Sequence, residues 1–253
     1  MLEYLACCLI GVLVFLSLVL YLTFYKKVYM LDDNITYKIQ EYRPNKHKAL
    51  KLLYDLNHKS MDLLKHIKTK YNNRIMMGTD SSIPLAELPV QMLGDAKGML
   101  DSMVHQRKST EVKSETDSCS ESIGLILRNY NPDLLSENDP IFTVGDKAFT
   151  FNFKRISICL RKRDWSFYDF NTLLFVFLHE IAHTGTHPKY LTVNGKRDNH
   201  PPMFWRVFKF LLREAVSIGI ITPIDYNEDN YVVYCGIPIK SNPLFDSSIK
   251  DLM

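Results

Sequence analysis

The sequence lacks a strong charge bias. Lys and Arg total 31 against 28 Asp and Glu, a net charge of +3 over 253 residues, so composition alone does not demand a nucleic-acid partner. Cysteine is also scarce. Of five, Cys7 and Cys8 fall in an apolar run near the N-terminus, leaving Cys119, Cys159 and Cys235. That odd number, without framework spacing, argues against a disulfide-built scaffold and agrees with a reducing compartment. Hydrophobic residues are not lacking. At 46%, with 12% aromatic, they suffice for one good-sized domain with an appendage, or for two small domains.

Residues 5–25 contain no charged residue, and as a helix they would extend about 31 Å, the thickness of a bilayer's hydrocarbon core. A cleaved signal peptide fits poorly: Glu3 and no Lys or Arg precede the run, and no small-residue cleavage site closes it. Tyr21, Phe24 and Tyr25 before Lys26 and Lys27 resemble an interfacial belt with basic anchors. The expectation is an uncleaved single-pass anchor in a lipid bilayer, with residues 1–4 outside and residues 26–253 on the cytoplasmic side.

Residues 26–88 then read as a juxtamembrane connector followed by an amphipathic helix. Over residues 45–71 the positions Ala49, Leu53, Leu56, Leu63, Leu64, Ile67 and Tyr71 recur near one helical face. Seven lysines share that helix and read as a solvated face. A second helix is expected over residues 90–106, a polar mobile loop over 107–122, and a short helix over 123–129. Strand signals concentrate at residues 142–160, where Phe149, Phe151 and Phe153 alternate and Ile156, Ile158 and Leu160 continue the pattern. Arg161-Lys162-Arg163 reads as a solvated strand end. Pro201 and Pro202 open a strongly apolar helix that Gly219 stops.

The chemistry is concentrated in His179-Glu180-Ile181-Ala182-His183. Histidines four apart project from one face of a helix, so both imidazoles reach one zinc ion, and the intervening glutamate can take a proton from a zinc-activated water. The preceding residues 171–178 are apolar enough for a buried helix, with Asp169 or Asn171 as its N-cap. A catalytic zinc takes three protein ligands and leaves a fourth position open. His200, His187 and Glu214 each qualify as the third. Metzincin spacing is excluded, because Thr186 and Lys189 stand where that class needs Gly and His. Cys235 is a conceivable fourth ligand that would close the site.

The motif, an insert, and then His200-Pro201-Pro202-Met203-Phe204-Trp205 resemble the WLM and SprT-like (Spartan-like) zinc metallopeptidases over residues 140–220. They are also similar to uncharacterised H-E-x-x-H proteins of large DNA viruses. The resemblance implies zinc ligands His179, His183 and His200, with Glu180 as general base. It also implies an α+β, zincin-like fold over residues 89–253, with a small antiparallel sheet beside the metal helix. In that architecture an edge strand aligns the substrate, for which residues 156–160 are the candidate, and a tyrosine among Tyr190, Tyr231 and Tyr234 could assist. The expected function is a membrane-anchored metalloendopeptidase acting on protein or peptide substrates. The alternative is a catalytically silent, membrane-tethered zinc-fold adaptor. A nucleic-acid role would need a groove built from the 45–71 lysines and Arg161 to Arg163.

Overall fold

The apolar face expected over residues 45–71 is the face the protein buries. In the computed structural model, helix α2 (Lys46–Met77) turns Ala49, Leu53, Leu56, Leu63, Leu64 and Ile67 into the core. The structure describes residues 2–24, 26–77, 115–139, 149–151, 154–193 and 196–252. The helix expected at residues 90–106 and the first strand expected at 142–144 lie outside them.

Three further core helices follow: α3 (Glu115–Asn129), α4 (Phe170–Gly185) and α5 (Pro202–Ser217). The polar run read as a loop over 107–122 is therefore helical from Glu115, because Cys119, Ser120, Ser122, Ile123 and Ile126 form a buried stripe. Helix α4 is buried on nearly every side and packs against both α3 and α5. Gly185 permits the α3 contact, since a Cβ there would collide with Ile126. Gly219 ends α5 as expected. It adopts φ +71°, and the following Ile220 N–H returns to the Ala215 carbonyl.

Five short strands form one mixed sheet: β1 (Lys26–Met30), β2 (Thr36–Gln40), β3 (Leu135–Glu137), β4 (Phe149–Phe151) and β5 (Arg155–Ile158). Their spatial order is β1-β2-β3-β5-β4, with β2, β3 and β5 parallel and the two outer strands antiparallel to their neighbours. The sheet is thus mixed, not antiparallel as expected. Residues 26–40 are not a connector either. They supply two of its strands, and Tyr37 and Ile39 are fully buried, so the boundary drawn at residue 88 does not separate two units. Helix α2 covers β2 and β3, while α4 covers β4 and β5. Two small hairpins complete the fold, β6 (Thr192–Val193) with β7 (Lys196–Arg197), and β8 (Val232–Tyr234) with β9 (Ile237–Ile239).

The N-terminal expectation is corrected. Residues 2–24 do form a helix, α1 (Leu2–Phe24). Among the described residues, however, no helix is long and apolar enough to cross a membrane. The transmembrane segment at 5–25 is withdrawn, and with it the outside placement of residues 1–4 and the cytoplasmic placement of the rest. Cysteine pairing also differs from expectation: Cys159, just after β5, is disulfide-bonded to Cys235, 76 residues away.

The basic strand end is corrected in part: Lys162 and Arg163 are exposed as expected, but Arg161 is not. Arg161 is fully buried, and its Nε donates to Glu137 Oε1 at 2.7 Å. Glu137 also accepts from the Gln40 N–H at 2.9 Å, and the Arg161 guanidinium donates to the Pro44 carbonyl. Desolvation holds the Glu137 carboxyl above its usual range despite the arginine. Glu137 therefore ties β3 to β2, and Arg161, buried between Glu137 and the Pro44 carbonyl, offers nothing to a phosphate.

Candidate metal centre

Helix α4 begins where the sequence places its cap: the Asp169 carboxylate accepts the Thr172 N–H at 2.9 Å, and the first turn follows. From that start the apolar residues 173–178 anchor the helix on all sides and fix its rotation. His179 and His183, one turn apart, face α5. Glu180 is rotated about 100° from His179 along the same helix and faces β4.

Helix α5 brings the third imidazole. His200 lies two residues before Pro202 at its N-terminus, with its backbone N–H donating to the Asp198 carboxylate at 2.8 Å. The Nε2 atoms of His200 and His179 are 3.1 Å apart. One ligating nitrogen from each of His179, His183 and His200 lies within 4.8 Å of the others. Tetrahedral zinc with Zn–N of about 2.05 Å would set its nitrogens about 3.3 Å apart; the His179–His200 pair matches that spacing, and the three neutral imidazoles are the donor type such an ion takes. Phe204, one turn into α5, packs its ring against all three imidazoles, at 4.8, 4.5 and 4.7 Å from His179, His183 and His200. This aromatic floor restricts the rings to one arrangement.

Electrostatics favour metal over protons. Burial, reinforced by the neighbouring imidazoles, pushes His179 well below the ordinary histidine value. Burial lowers His183 to about 3, with His200 adding to the effect. His200 is also lowered by burial, partly countered by Asp198. All three therefore present neutral rings with free lone pairs at neutral pH, as a metal requires. Glu180 is nearly fully buried. Its Oε2 accepts a hydrogen bond from Thr150 Oγ1 at 2.9 Å, and the same hydroxyl lies 2.9 Å from the Glu180 carbonyl oxygen.

The competing ligands are engaged elsewhere. His187 Nδ1 accepts the Lys189 N–H at 3.1 Å, and its Nε2 lies 3.9 Å from Glu121. Glu214, also buried, meets His66 at 3.1 Å and accepts from Lys70 at 2.8 Å and Tyr71 at 2.9 Å, which joins α5 to α2. Cys235 is consumed by its disulfide and is corrected as a ligand. Among the tyrosines, Tyr231 is half exposed and Tyr190 packs near His187. Tyr234 is buried, and burial with the negative charge of Glu180 raises its phenol well above the usual value. Tyr234 is therefore a protonated donor on the Glu180 side of α4. The nucleic-acid groove loses Arg161 to the core, and Lys46, Lys51 and Lys70 to Glu41, Asp55 and Glu214.

Two features escaped the sequence. Strand 156–160 was the candidate for substrate alignment, yet β5 is paired on both sides. Among the described residues the sheet edge beside α4 is β4. Thr150 itself gave no signal beyond being the polar residue between Phe149 and Phe151.

Comparison with known proteins gives relatives of viral origin. The chain is 39% identical over 79 residues to "Uncharacterized protein 136R" of Invertebrate iridescent virus 6, a match covering 30% of this chain and 39% of that protein. It is 28% identical over 204 residues to "Uncharacterized protein R325" of Acanthamoeba polyphaga mimivirus, covering 76% of this chain and 91% of that protein. The match to the iridescent virus protein thus spans well under half of its length. No family model matches the chain, and no solved structure matches it.

Proposed function

We propose that this protein is a zinc-dependent metallopeptidase of WLM or SprT-like character that hydrolyses peptide bonds. One observation carries the reading: His179, His183 and His200 converge within 4.8 Å, beside a buried carboxylate whose only sequence rationale is proton transfer. Zinc held by those three imidazoles would supply the Lewis acidity for attack on a carbonyl.

The chain's own groups supply the rest. Glu180 accepts a proton from the attacking water and delivers it to the leaving amine. Its carboxylate meets Thr150 of β4, while the three imidazoles meet Phe204 of α5. Among the described residues strand β4 forms one edge of the sheet, so its outer backbone groups suit an extended peptide segment added as a further strand. A segment added there would run beside the strand whose Thr150 holds Glu180. Tyr234 stands ready as a neutral hydrogen-bond donor to the oxygen on which charge develops.

The test uses the purified full chain. It should bind about one zinc per chain and cleave casein, and Glu180→Gln should keep the zinc while cleavage falls by at least about 100-fold. Cleavage retained in Glu180→Gln removes Glu180 as the base, and zinc bound without turnover by the wild type sinks the proposal.

A further inference from the structure

Helix α4 fixes the backbone of Glu180 but leaves its side-chain torsions free, and a proton carrier must hold one orientation to serve both water and leaving group. Thr150 occupies the centre of β4, paired with Ile156 of β5. Its hydroxyl reaches Glu180 Oε2 at 2.9 Å. The same oxygen is 2.9 Å from the Glu180 carbonyl, so the hydroxyl bridges the side chain and the backbone of one residue. Threonine suits this task. As a β-branched residue in a strand it has a restricted χ1, so the strand backbone itself aims the hydroxyl. A hydroxyl also orients a carboxylate without bringing a positive charge that would compete for its electrons.

We propose that Thr150 is a positioning residue for Glu180, and that it couples the base to the strand on which substrate is seated. The proposal rests on the metallopeptidase reading of this site. Because Thr150 belongs to the strand that is the sheet edge among the described residues, a peptide that adds to β4 immobilises the strand holding the carboxylate. Seating of an extended substrate and alignment of the base are then one event. Short peptides that do not pair along β4 forgo that alignment and lose turnover more than binding.

The experiment compares Thr150→Val, nearly isosteric but without the hydroxyl, with Thr150→Ser in the zinc-loaded full chain. On casein, Thr150→Val should lower kcat by about tenfold or more while KM stays within about twofold. Zinc content should not change, and Thr150→Ser should recover most of the rate. Wild-type kcat in Thr150→Val, or equal impairment in both variants, overturns the proposal. A wild type that does not cleave casein defeats the metallopeptidase reading instead. Thr150 is then judged by the 13C resonance of the Glu180 carboxylate, assigned with Glu180→Gln. Thr150→Val should shift that resonance and Thr150→Ser should leave it close to wild type; a resonance unmoved by Thr150→Val refutes the positioning role.

Discussion

Removing the Cys159–Cys235 disulfide gives the sharpest quantitative test of the fold around the site. The bond joins the end of β5 to the turn of the β8–β9 hairpin. That turn places Cys235 and Gly236 at φ +49° and +86°, the two positive angles a two-residue hairpin needs. The Cys235 N–H also donates to the Tyr168 hydroxyl at 2.7 Å, and the Tyr168 and Tyr234 rings lie 4.9 Å apart. Bridging a separation of 76 residues removes about 15 cal/mol/K of entropy from the unfolded chain, or about 4.5 kcal/mol at 25 °C. For a domain of this size that corresponds to a fall in Tm of about 9–18 °C on reduction. The assay is thermal unfolding of the full chain with and without a phosphine reductant, alongside the double variant Cys159→Ser, Cys235→Ser. Thiol titration in denaturant supplies the control. Among the described cysteines Cys159 and Cys235 are paired, so reduction should raise the number of reactive thiols by two. Five reactive thiols in the unreduced chain, or a Tm indifferent to both reduction and the double variant, would refute the reasoning.

Three other outcomes follow from the site. His200→Ala should lower zinc affinity by at least about 100-fold, whereas His187→Ala should leave it within about twofold; metal titration against a chromophoric chelator separates them, and the reverse ranking would reassign the third ligand. In the metal-free protein, buried His183 is held at about 3 against an ordinary 6.5, so between those values the unfolded chain binds a proton that the folded chain refuses. Stability from this histidine is therefore complete above about pH 6.5 and is lost as pH falls, by at most about 1.4 kcal/mol per unit. Urea unfolding in EDTA should show that slope flattened in His183→Gln, and parallel slopes would count against it. Tyr234→Phe should leave zinc content unchanged and lower kcat on casein by about tenfold; an unaltered kcat would exclude the phenol as a donor.

What the sequence disclosed depended on how local each signal was. The buried face of α2 and the Asp169 cap were legible because helical period and capping are carried within a few neighbouring residues. The metal motif was legible for the same reason. His200 could be found because the prolines after it mark a helix start. By contrast, Arg161 looked like a solvated strand end because its partner, Glu137, is 24 positions away. The disulfide links cysteines 76 apart with no repeating spacing. The role of β5 was misread because strand order is not written in strand sequence: β5 follows β4 in the chain yet lies inside it in the sheet. The apolar run at 5–25 does form a helix, yet among the described residues no helix is long and apolar enough to cross a membrane.

The same distinction explains why H-E-x-x-H alone does not make a site. Four residues advance a helix by about 400°, so His179 and His183 share one face within about 40°, while Glu180 is turned about 100° away. A single wall against α4 could serve the histidines or the glutamate, but not both. The protein supplies two. Helix α5 brings His200 and the Phe204 ring to the histidine face, and β4 brings Thr150 to the glutamate face. Both walls are set by core packing, with Phe177 and Leu178 of α4 and Phe204, Val207 and Phe208 of α5 all buried. The excursion from His183 to His200 therefore need not be rigid, since its two ends are fixed independently by the α4–α5 contact. On the proposed reading, ligand spacing is held by a hydrophobic interface and base orientation by β4. Damage to one should leave the other intact, so zinc affinity and turnover can be lost separately.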